Sequence, residues 1–498
     1  MAHLSHEKAV QAIPQKGFFG HPRGLGVLYT VEFWERFSYY GMRALLIYYI
    51  YYNIGQGGLG LEKTFAQSLI SIYGSLIFMT SILGGWVADR ILGTRRSMVY
   101  GAILIIIGHI CLSLPFALSG LLFSMFFIII GSGLMKPNIS NIVGRLYPEG
   151  DDRIDSGFVI FYMAVNMGAF VSPLILDHFR ASGQFHGGFL IAAIGMAFSL
   201  LIYVLFHRKN LGQIGMVAPN PLSSNEKKKY RILFGGLTII ILLVLIIAYL
   251  THTLSFDLVS LIVLILGLVL PISYFVIMIA SKETTPTERS RVIAFIPLFI
   301  VGVIFWAIQE QGANVLNVYA DEKANLAFHF LGLSGHFPIT WFQSINPLFI
   351  VICAPVISWL WRRLGRFEPN LPLKFALGLF LAGLSFILMM AVIFSYGDKE
   401  IWFLWIILSY FICVIGELCI SPTGSSSAVK LAPKVFNAQM MSLWLLTNAT
   451  AQAINAQLVK LLPIVGYQNY FGIIGGIAII VAILTVLGSP FILKAMKL

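Results

Sequence analysis

The residues best suited to chemistry lie together in one apolar stretch near the start of the chain: Glu32, Glu35, Arg36, Tyr39 and Arg43. At about 100° per residue they fall within an arc of roughly 140° on one face of a helix, and Tyr40 borders that arc. A charge at the centre of a bilayer costs roughly 3 kcal/mol, so such groups face a bundle interior or water. The spacing therefore predicts a polar cavity inside a membrane.

This first cluster has two interpretations. Glu32 or Glu35 could simply neutralise Arg36 by internal pairing, which is a structural role. Alternatively, a carboxylate near a cation and water can exchange a proton as the pairing changes, because burial favours its neutral form and a cation its charged form. One pair would suffice for structure, whereas the chain keeps several groups, and this favours proton exchange.

A lysine lies well inside a later apolar stretch, in the run Gly131-Ser-Gly-Leu-Met-Lys136-Pro137-Asn138. The proline removes a backbone donor and bends the helix, and the two glycines permit close packing. Lys136 at that depth needs a carboxylate partner, which is Glu32, Glu35 or a carboxylate of the substrate. Snorkelling of the lysine to the membrane surface is the alternative.

The second half of the chain carries carboxylates, amides and aromatic residues in its apolar stretches: Trp306, Glu310, Asn346, Glu417, Ser421, Trp444, Asn448 and Gln452. The first half offers cations and the second half carboxylates, so a cavity between the halves would be bipolar. Such a cavity suits a zwitterion, with tryptophan and tyrosine surfaces as apolar walls. Tyr162 and Asn166, one turn apart, either hydrogen-bond a backbone-like substrate or only join helices.

A polar turn follows the second apolar stretch, in the run Gly85-Trp-Val-Ala-Asp89-Arg90-Ile-Leu-Gly93. We expect the glycines to allow a tight turn, Asp89 to cap the next helix or pair with a neighbouring helix end, and Arg90 to anchor the turn. This pattern indicates a conformational role. His109, alone in its apolar stretch, indicates a packing residue.

Composition places most of the chain in a membrane. Of 498 residues, 58% are hydrophobic and 11% charged, and the mean hydropathy is +0.86. The net charge of +12 comes from basic residues in short connections, which is the positive-inside pattern and not a nucleic-acid signature. The four cysteines lack metal spacing and are expected in the core. We find no cleavable signal peptide, no catalytic signature and no metal motif, and expect a protein that is not an enzyme.

Hydropathy predicts fourteen spans, at 24–53, 66–88, 97–117, 120–142, 156–177, 188–206, 233–250, 257–280, 292–318, 340–361, 373–395, 401–425, 436–459 and 468–493. Basic residues concentrate in the connections after the even-numbered spans and at both ends, so both termini should be cytoplasmic. The predicted organisation is an N-terminal segment (1–23), a six-span half (24–206), a basic linker (207–231), an inserted hairpin (232–281) and a second six-span half (282–498). The hairpin lacks a polar face and should pack peripherally.

Three motifs resemble those of a known family. Asp89-Arg90-x-x-Gly93 resembles the signature of the major facilitator superfamily, and Glu32-x-x-Glu35-Arg36-Phe37-x-Tyr39-Tyr40-Gly41 resembles that of the proton-dependent oligopeptide transporters. Phe161-Tyr162-x-x-Val165-Asn166-x-Gly168 resembles the second signature of the same family, with valine where isoleucine is usual. The resemblance covers essentially the whole chain. It implies an all-α membrane protein of the major facilitator fold, with two six-helix bundles and the two-helix insertion of bacterial members.

The resemblance also implies a function, namely import of di- and tripeptides together with protons. It implies proton coupling at Glu32, Glu35, Arg36, Lys136 and Glu310. Glu310 would take part in an extracellular-side gate or in proton transfer, and it would also belong to the peptide-binding residues. Arg43 and Lys136 would lie near the peptide carboxylate, and Glu417 near its amino terminus. The pocket would be lined by Tyr39, Tyr40, Asn166, Trp306, Asn346, Ser421 and Trp444, and the conformational turn formed by Gly85, Asp89, Arg90 and Gly93.

The chain departs from the family at two points. The stretch Leu69–Phe78 lacks the histidine of animal members, so proton coupling must rest on carboxylates, and Phe78 replaces a common pocket tyrosine. We expect protons as the only coupling ion, no other cofactor or metal, and a monomer in the bilayer of a bacterial cytoplasmic membrane. Nitrate or another small metabolite is the alternative substrate, and an uncoupled channel or receptor the alternative class.

Overall fold

The computed structural model describes residues 6–148, 150–251, 253, 255–330 and 333–497. The first five residues of the predicted N-terminal segment and positions 252 and 254 of the predicted hairpin lie outside these ranges. Within these ranges, fourteen helices have twenty or more residues, and they match the fourteen predicted spans. This match confirms the prediction of an all-helical protein.

The helices follow one another along the chain as α1 (His6–Gln11), α2 (Arg23–Tyr51), α3 (Lys63–Val87), α4 (Thr94–Ser113), α5 (Ala117–Gly144), α6 (Arg153–Ala181), α7 (Phe185–Leu211), α8 (Ser224–Leu250), α9 (Phe256–Ala280), α10 (Pro286–Gln311), α11 (Asn317–Lys323), α12 (Phe342–Leu364), α13 (Leu371–Tyr396), α14 (Leu404–Leu431), α15 (Asn437–Leu458) and α16 (Leu462–Met496). Eleven helical segments in the described ranges are long and apolar enough to cross a membrane, and one of them (Gln439–Met496) runs from within α15 to the end of α16. The chain is therefore a multi-pass membrane protein.

Two short pairs of strands, which the sequence pattern does not predict, lie between α11 and α14. Strand β1 (Ala324–Asn325) pairs in parallel with β4 (Ile401–Trp402), and β2 (Ala327–Phe330) pairs antiparallel with β3 (Leu333–His336). The Phe328 ring covers Gly335, its partner in the register, where a β-carbon would lie 3.0 Å from the ring. The hairpin is only four residues a side, too short for an alternating pattern to stand out.

The chain forms two compact units. Unit 1 comprises Met1–Glu35, Met79–Ala164 and Ala193–Ile265, and unit 2 comprises Arg36–Phe78, Val165–Ala192 and Leu266–Leu498. The boundaries of these units differ from those of the two predicted six-span halves. The boundaries of the halves therefore stay a prediction.

Glycines bring the helices of unit 1 together. A β-carbon on Gly101 of α4 would lie 2.6 Å from the Gly131 carbonyl oxygen of α5, and one on Gly84 of α3 would lie 1.9 Å from the Gly133 carbonyl oxygen. Such contacts between backbones need small residues, as is usual for helices in membranes. Asn138 of α5 donates to the Gly84 carbonyl at 3.3 Å and fixes α3 to α5.

The N-terminal segment is fastened to the same unit by polar contacts. His21 Nδ1 lies 3.0 Å from the Tyr147 hydroxyl, and Arg153 donates to the carbonyls of Gln15 and Gly20 at 3.1 Å each. Hydrogen bonds from the Arg153 side chain and backbone also hold the pKa of Asp151 below its usual range. The segment is therefore part of the fold rather than a free tail.

Unit 2 is built around α13, which packs on α14 through Gly378 and Gly416 and on α16 through Gly383 and Gly475. Part of the predicted hairpin belongs to this unit. Thr450 of α15 donates to the Gly267 carbonyl of α9 at 2.7 Å, and the Phe275 ring of α9 meets Phe299 of α10 edge to face at 5.5 Å. Helix α9 thus packs on α10 and α15 through one face.

Replacing Gly131 by alanine should destabilise the protein, because the added β-carbon meets backbone atoms of α4 that have no room to yield. We expect a loss of about 1–3 kcal/mol in the free energy of unfolding. Gly476→Ala in α16 is the matched control, since its β-carbon would meet nothing within 4 Å. Thermal unfolding in detergent should show a lower midpoint for Gly131→Ala only; equal midpoints for the two variants would contradict the glycine contact.

Candidate functional site

An ion pair between α2 and α10 lies at the centre of the polar groups of unit 2. Arg43 Nη2 lies 2.6 Å from Glu310 Oε2, and the two side chains are only 10% and 13% exposed. The second Glu310 oxygen accepts from Asn448 Nδ2 at 2.9 Å, and Asn448 Oδ1 accepts from Gln452 at 2.8 Å. Glu310 is thus charge-paired on one side and hydrogen-bonded on the other.

Gly74 of α3 makes room for this arrangement. A β-carbon at Gly74 would lie 1.8 Å from the side-chain oxygen of Gln452, so any larger residue would displace the amide that orients Asn448. Three helices, α2, α10 and α15, therefore supply the groups around Glu310, and a fourth, α3, supplies the space.

A second buried carboxylate lies in the same unit and has different partners. Glu417 of α14 accepts from Gln309 Nε2 of α10 at 2.6 Å and from Asn346 Nδ2 of α12 at 3.0 Å. The Cys413 thiol donates to Gln309 Oε1 at 2.9 Å and helps to orient that amide. The donors are neutral, and no lysine or arginine among the described residues forms an ion pair with Glu417.

Helix α10 changes its winding directly after Glu310. A π-helical turn spans Gly312–Leu316, and such turns are frequent at functional sites. The Tyr410 hydroxyl donates to the Gly312 carbonyl at 2.5 Å, and Asn314 donates to the Gln67 carbonyl of α3 at 2.8 Å. Where the regular α-helix ends, hydrogen bonds from the Tyr410 and Asn314 side chains thus reach backbone carbonyls.

The aromatic residues predicted to line a pocket have different surroundings. Tyr39 is buried and meets Tyr40 edge to face at 5.1 Å, and Trp306 is half-buried. Trp444 instead fills a gap between helices, because its ring lies where a β-carbon on Gly424 would be, at 2.1 Å. Trp444 thus packs closely on α14, and its role in lining a pocket stays a prediction.

The first cluster of charges is buried, as its spacing predicts. Glu32 is 2% exposed, Glu35 1% and Arg36 9%. Lys136 is half-buried within α5. Glu32, Glu35 and Lys136 belong to unit 1, and Arg36 to unit 2. Of the remaining predicted residues, Asn166 is buried and Ser421 half-buried, whereas Tyr162 is 50% exposed.

Comparison with known proteins shows which family the chain belongs to. The model of the POT family matches residues 95–470. The chain belongs to the POT family. It is 48% identical to the uncharacterized transporter YclF of Bacillus subtilis, over 100% of this chain and 99% of the relative. It is 42% identical to the di-/tripeptide transporter of Lactococcus lactis, over 97% and 98%.

Solved structures give the same family. A crystal structure of a POT family transporter in complex with 5-aminolevulinic acid, and one in complex with a thioalcohol-conjugated peptide, each have a TM-score of 0.95 and 62% identity. Each comparison covers 97% of this chain and 99% of the other. The match confirms the predicted fold.

The polar turn of this POT family chain differs from expectation in two details. Gly85 lies inside α3, and a β-carbon there would meet open space, whereas Gly84 makes the close contact. Asp89 does not cap α4, whose N-cap is Gly93 and has no side-chain cap bond. Gly93 is required, because its φ is +82° and a β-carbon would lie 2.8 Å from the Met216 carbonyl oxygen. Arg90 Nη2 pairs with Glu226 at 2.5 Å.

A second polar network lies outside the motifs that the sequence offers. It consists of Tyr51, Tyr52, Asp177, Arg180 and Asp321, and we call it the outer tyrosine network. Asp321 accepts from Tyr51 at 2.5 Å and from Tyr52 at 3.0 Å. Arg180 donates to the Tyr52 hydroxyl at 3.1 Å and to Asp177 at 2.8 Å. The ends of α2 and α6 are thereby joined to α11.

Two neighbouring contacts extend this network. Thr340, just before α12, donates to Asp177 at 2.9 Å, and Lys63 of α3 forms an ion pair with Glu322, which also accepts from Tyr467 at 2.9 Å. The sequence offers two signals for this network, namely the tyrosines at the end of the first apolar span and the acidic pair Asp321 and Glu322 after a later span. No local spacing shows that these two segments meet.

Asp321→Asn should destabilise the protein more than Tyr51→Phe. Tyr51→Phe removes one hydroxyl and its single hydrogen bond to the carboxylate, about 1.5–3 kcal/mol for a hydrogen bond to a charged group. Asp321→Asn removes the charge from the hydrogen bonds of both Tyr51 and Tyr52, so its loss should be larger. Unfolding in detergent should show both losses in that order. Asp398→Asn, at an exposed position beyond the end of α13, is the control and should be neutral. The reverse order would show that Asp321 is not the common acceptor.

Proposed function

We propose that this POT family chain imports di- and tripeptides together with protons by alternating access. The observation that carries this proposal is the pair of buried carboxylates in unit 2. Glu310 is neutralised by Arg43, whereas the described donors to Glu417 are neutral amides. A buried carboxylate without a cation is costly, so Glu417 offers a site for the ammonium of a bound substrate.

The two charged ends of a peptide have complementary partners among these residues. The amino terminus meets Glu417, and the carboxylate approaches Arg43 and Lys136. Amide donors such as Asn346 and Asn166 bind the peptide backbone. The apolar surfaces of Tyr39, Tyr40, Trp306 and Trp444, with Ser421, tolerate different side chains. The di-/tripeptide transporter of Lactococcus lactis supports this substrate class, because it is 42% identical over almost the whole chain.

Proton coupling follows from the fate of the Arg43–Glu310 pair. A proton on Glu310 removes the charge that holds Arg43, so the guanidinium becomes available to a substrate carboxylate. We assign the same chemistry to Glu32 and Glu35, whose protonation frees Arg36 and Lys136 from internal pairing. Glu310 also serves as an extracellular-side gate, since breaking its pair separates α2 from α10.

The remaining features of the proposal come from sequence and family. The two six-helix halves rock against each other around a central site, with the turn of Gly85, Asp89, Arg90 and Gly93 as a conformational element. The protein works as a monomer in a bacterial cytoplasmic membrane, with both termini in the cytoplasm. It uses protons as coupling ion, needs no further cofactor, and catalyses no covalent reaction.

A non-peptide substrate is the second candidate. A structure 62% identical to this chain holds 5-aminolevulinic acid, a compound with an amine and a carboxylate. Such a molecule satisfies the same two charges as a dipeptide. Nitrate fits less well, because Glu417 adds negative charge to the site. Competition of dipeptide, 5-aminolevulinic acid and nitrate for uptake separates these substrates.

Uptake into proteoliposomes tests the proposal. With the lumen alkaline relative to the outside, labelled dipeptide should accumulate above its external concentration, and a protonophore should abolish accumulation. Glu32→Gln and Glu35→Gln should lose this gradient-driven uptake and keep some peptide counterflow, because exchange needs no net proton movement. Glu400→Gln, an exposed carboxylate outside the helices, is the matched control and should behave as the parent. Full gradient-driven uptake by both variants would refute their role in coupling.

The role of Glu417 predicts a selective loss in Glu417→Gln. The parent should bind a free dipeptide at least tenfold more tightly than its N-acetylated form, because acetylation removes the ammonium that pairs with the carboxylate. In Glu417→Gln this preference should fall close to one, chiefly through weaker binding of the free dipeptide. Half-inhibitory concentrations in the counterflow assay measure both. An unchanged preference would place the amino terminus elsewhere.

A further inference from the structure

The linker between α7 and α8 ends in a dense group of positive charges. Lys227, Lys228, Lys229 and Arg231 lie in the first two turns of α8, and all four are exposed. We call these four residues the basic patch. Consecutive residues on a helix point about 100° apart, so the four side chains surround the start of α8.

Glu226, the acidic residue in the first turn of α8, already has partners. Glu226 pairs with Arg90 at 2.5 Å, and its other oxygen accepts from the Ser223 backbone at 2.9 Å. Its charge is therefore balanced by Arg90, and no carboxylate in the described part of the chain forms an ion pair with the four residues of the basic patch. Arg208 and Lys209, exposed in the last turn of α7, add to the positive character of the linker.

The basic patch has a fixed position in unit 1. The backbone N–H groups of Asn220 and Leu222 donate to the carbonyls of Asp89 and Arg90, each at 3.1 Å. Arg95 donates to the Gly212 carbonyl at 2.6 Å. The linker is thus bound to the turn before α4 along most of its length, and the basic patch is a surface of defined geometry.

Aromatic contacts indicate the depth of the basic patch. The Trp86 ring lies edge to face with Tyr230 at 5.1 Å and contacts Phe234 at 5.5 Å. Tryptophan and tyrosine favour the membrane–water interface. Directly after Arg231 the helix turns apolar, with Ile232 66% and Leu233 55% exposed, as expected for contact with lipid. The basic patch therefore lies at the level of the headgroups.

We propose that the basic patch docks anionic phospholipid headgroups. The phosphate charge of the lipid complements the four side chains, and the acyl chains cover the exposed apolar residues that follow. Each lysine or arginine near an anionic surface contributes about 1 kcal/mol. Because the same linker is hydrogen-bonded to Asp89 and Arg90, bound lipid also holds this turn in place.

Lipid binding by the purified full chain tests this proposal. Binding of phosphatidylglycerol and of phosphatidylcholine, measured by native mass spectrometry, compares the parent with the triple variant K227Q/K228Q/K229Q. The parent should prefer phosphatidylglycerol. At about 1 kcal/mol for each lysine, the triple variant should bind it on the order of 100-fold more weakly.

The chain offers a matched control in R362Q/R363Q/R366Q, which also removes three exposed charges from one connection. There Arg363 lies over the Trp359 ring and Arg366 over Phe367, so these arginines already have partners. This control should bind phosphatidylglycerol as the parent does. Equal weakening in both triple variants, no lipid preference in the parent, or displacement of the lipid by equimolar inorganic phosphate would each overturn the proposal. If K227Q/K228Q/K229Q has a lowered unfolding midpoint, the three single variants take its place. Each of them should lose part of the affinity for phosphatidylglycerol.

Discussion

The Arg43–Glu310 ion pair is the interaction on which the site in unit 2 depends. It stands in helices that are otherwise apolar, so each of its charges must find its partner within the protein. The amides of Asn448 and Gln452 complete the coordination of Glu310, and Gly74 leaves the space that these amides need. Glu417 is held differently, because its described donors are the neutral amides of Gln309 and Asn346. In the function proposed above, a proton on Glu310 releases Arg43, and the substrate supplies the cation for Glu417.

The sequence predicts the charged residues well because an apolar chain has few reasons to carry them. Glu32, Glu35 and Arg36 are all buried, and Glu310 and Glu417 lie at the centres of hydrogen-bond networks. The partners are harder to predict, since amides and thiols are common in helices for many reasons. Gln309 and Cys413, which orient the groups around Glu417, carry no charge that would single them out. The close packing of the Trp444 ring against Gly424 is likewise not evident from the sequence, because nothing near either residue refers to the other.

Long-range contacts account for the rest. The outer tyrosine network joins Tyr51 to Asp321 across 270 residues of chain, and no periodicity in either segment refers to the other. The same holds for glycine pairs: Gly84 and Gly85 are indistinguishable in sequence, but only Gly84 faces Gly133. Helix positions follow from local hydropathy, and so all fourteen long helices could be predicted. The two strand pairs are too short for local patterns to reveal.

The linker shows how a sequence signature can depend on a distant segment. Gly93 has a left-handed φ and approaches the Met216 carbonyl, while the carbonyls of Asp89 and Arg90 accept from Asn220 and Leu222. The turn therefore binds the linker through its backbone as much as through its side chains. Any movement of the turn must either carry the linker with it or break these bonds. Within unit 1, the same linker leads directly into α8, so a movement of the turn that keeps these hydrogen bonds must also shift the start of this helix.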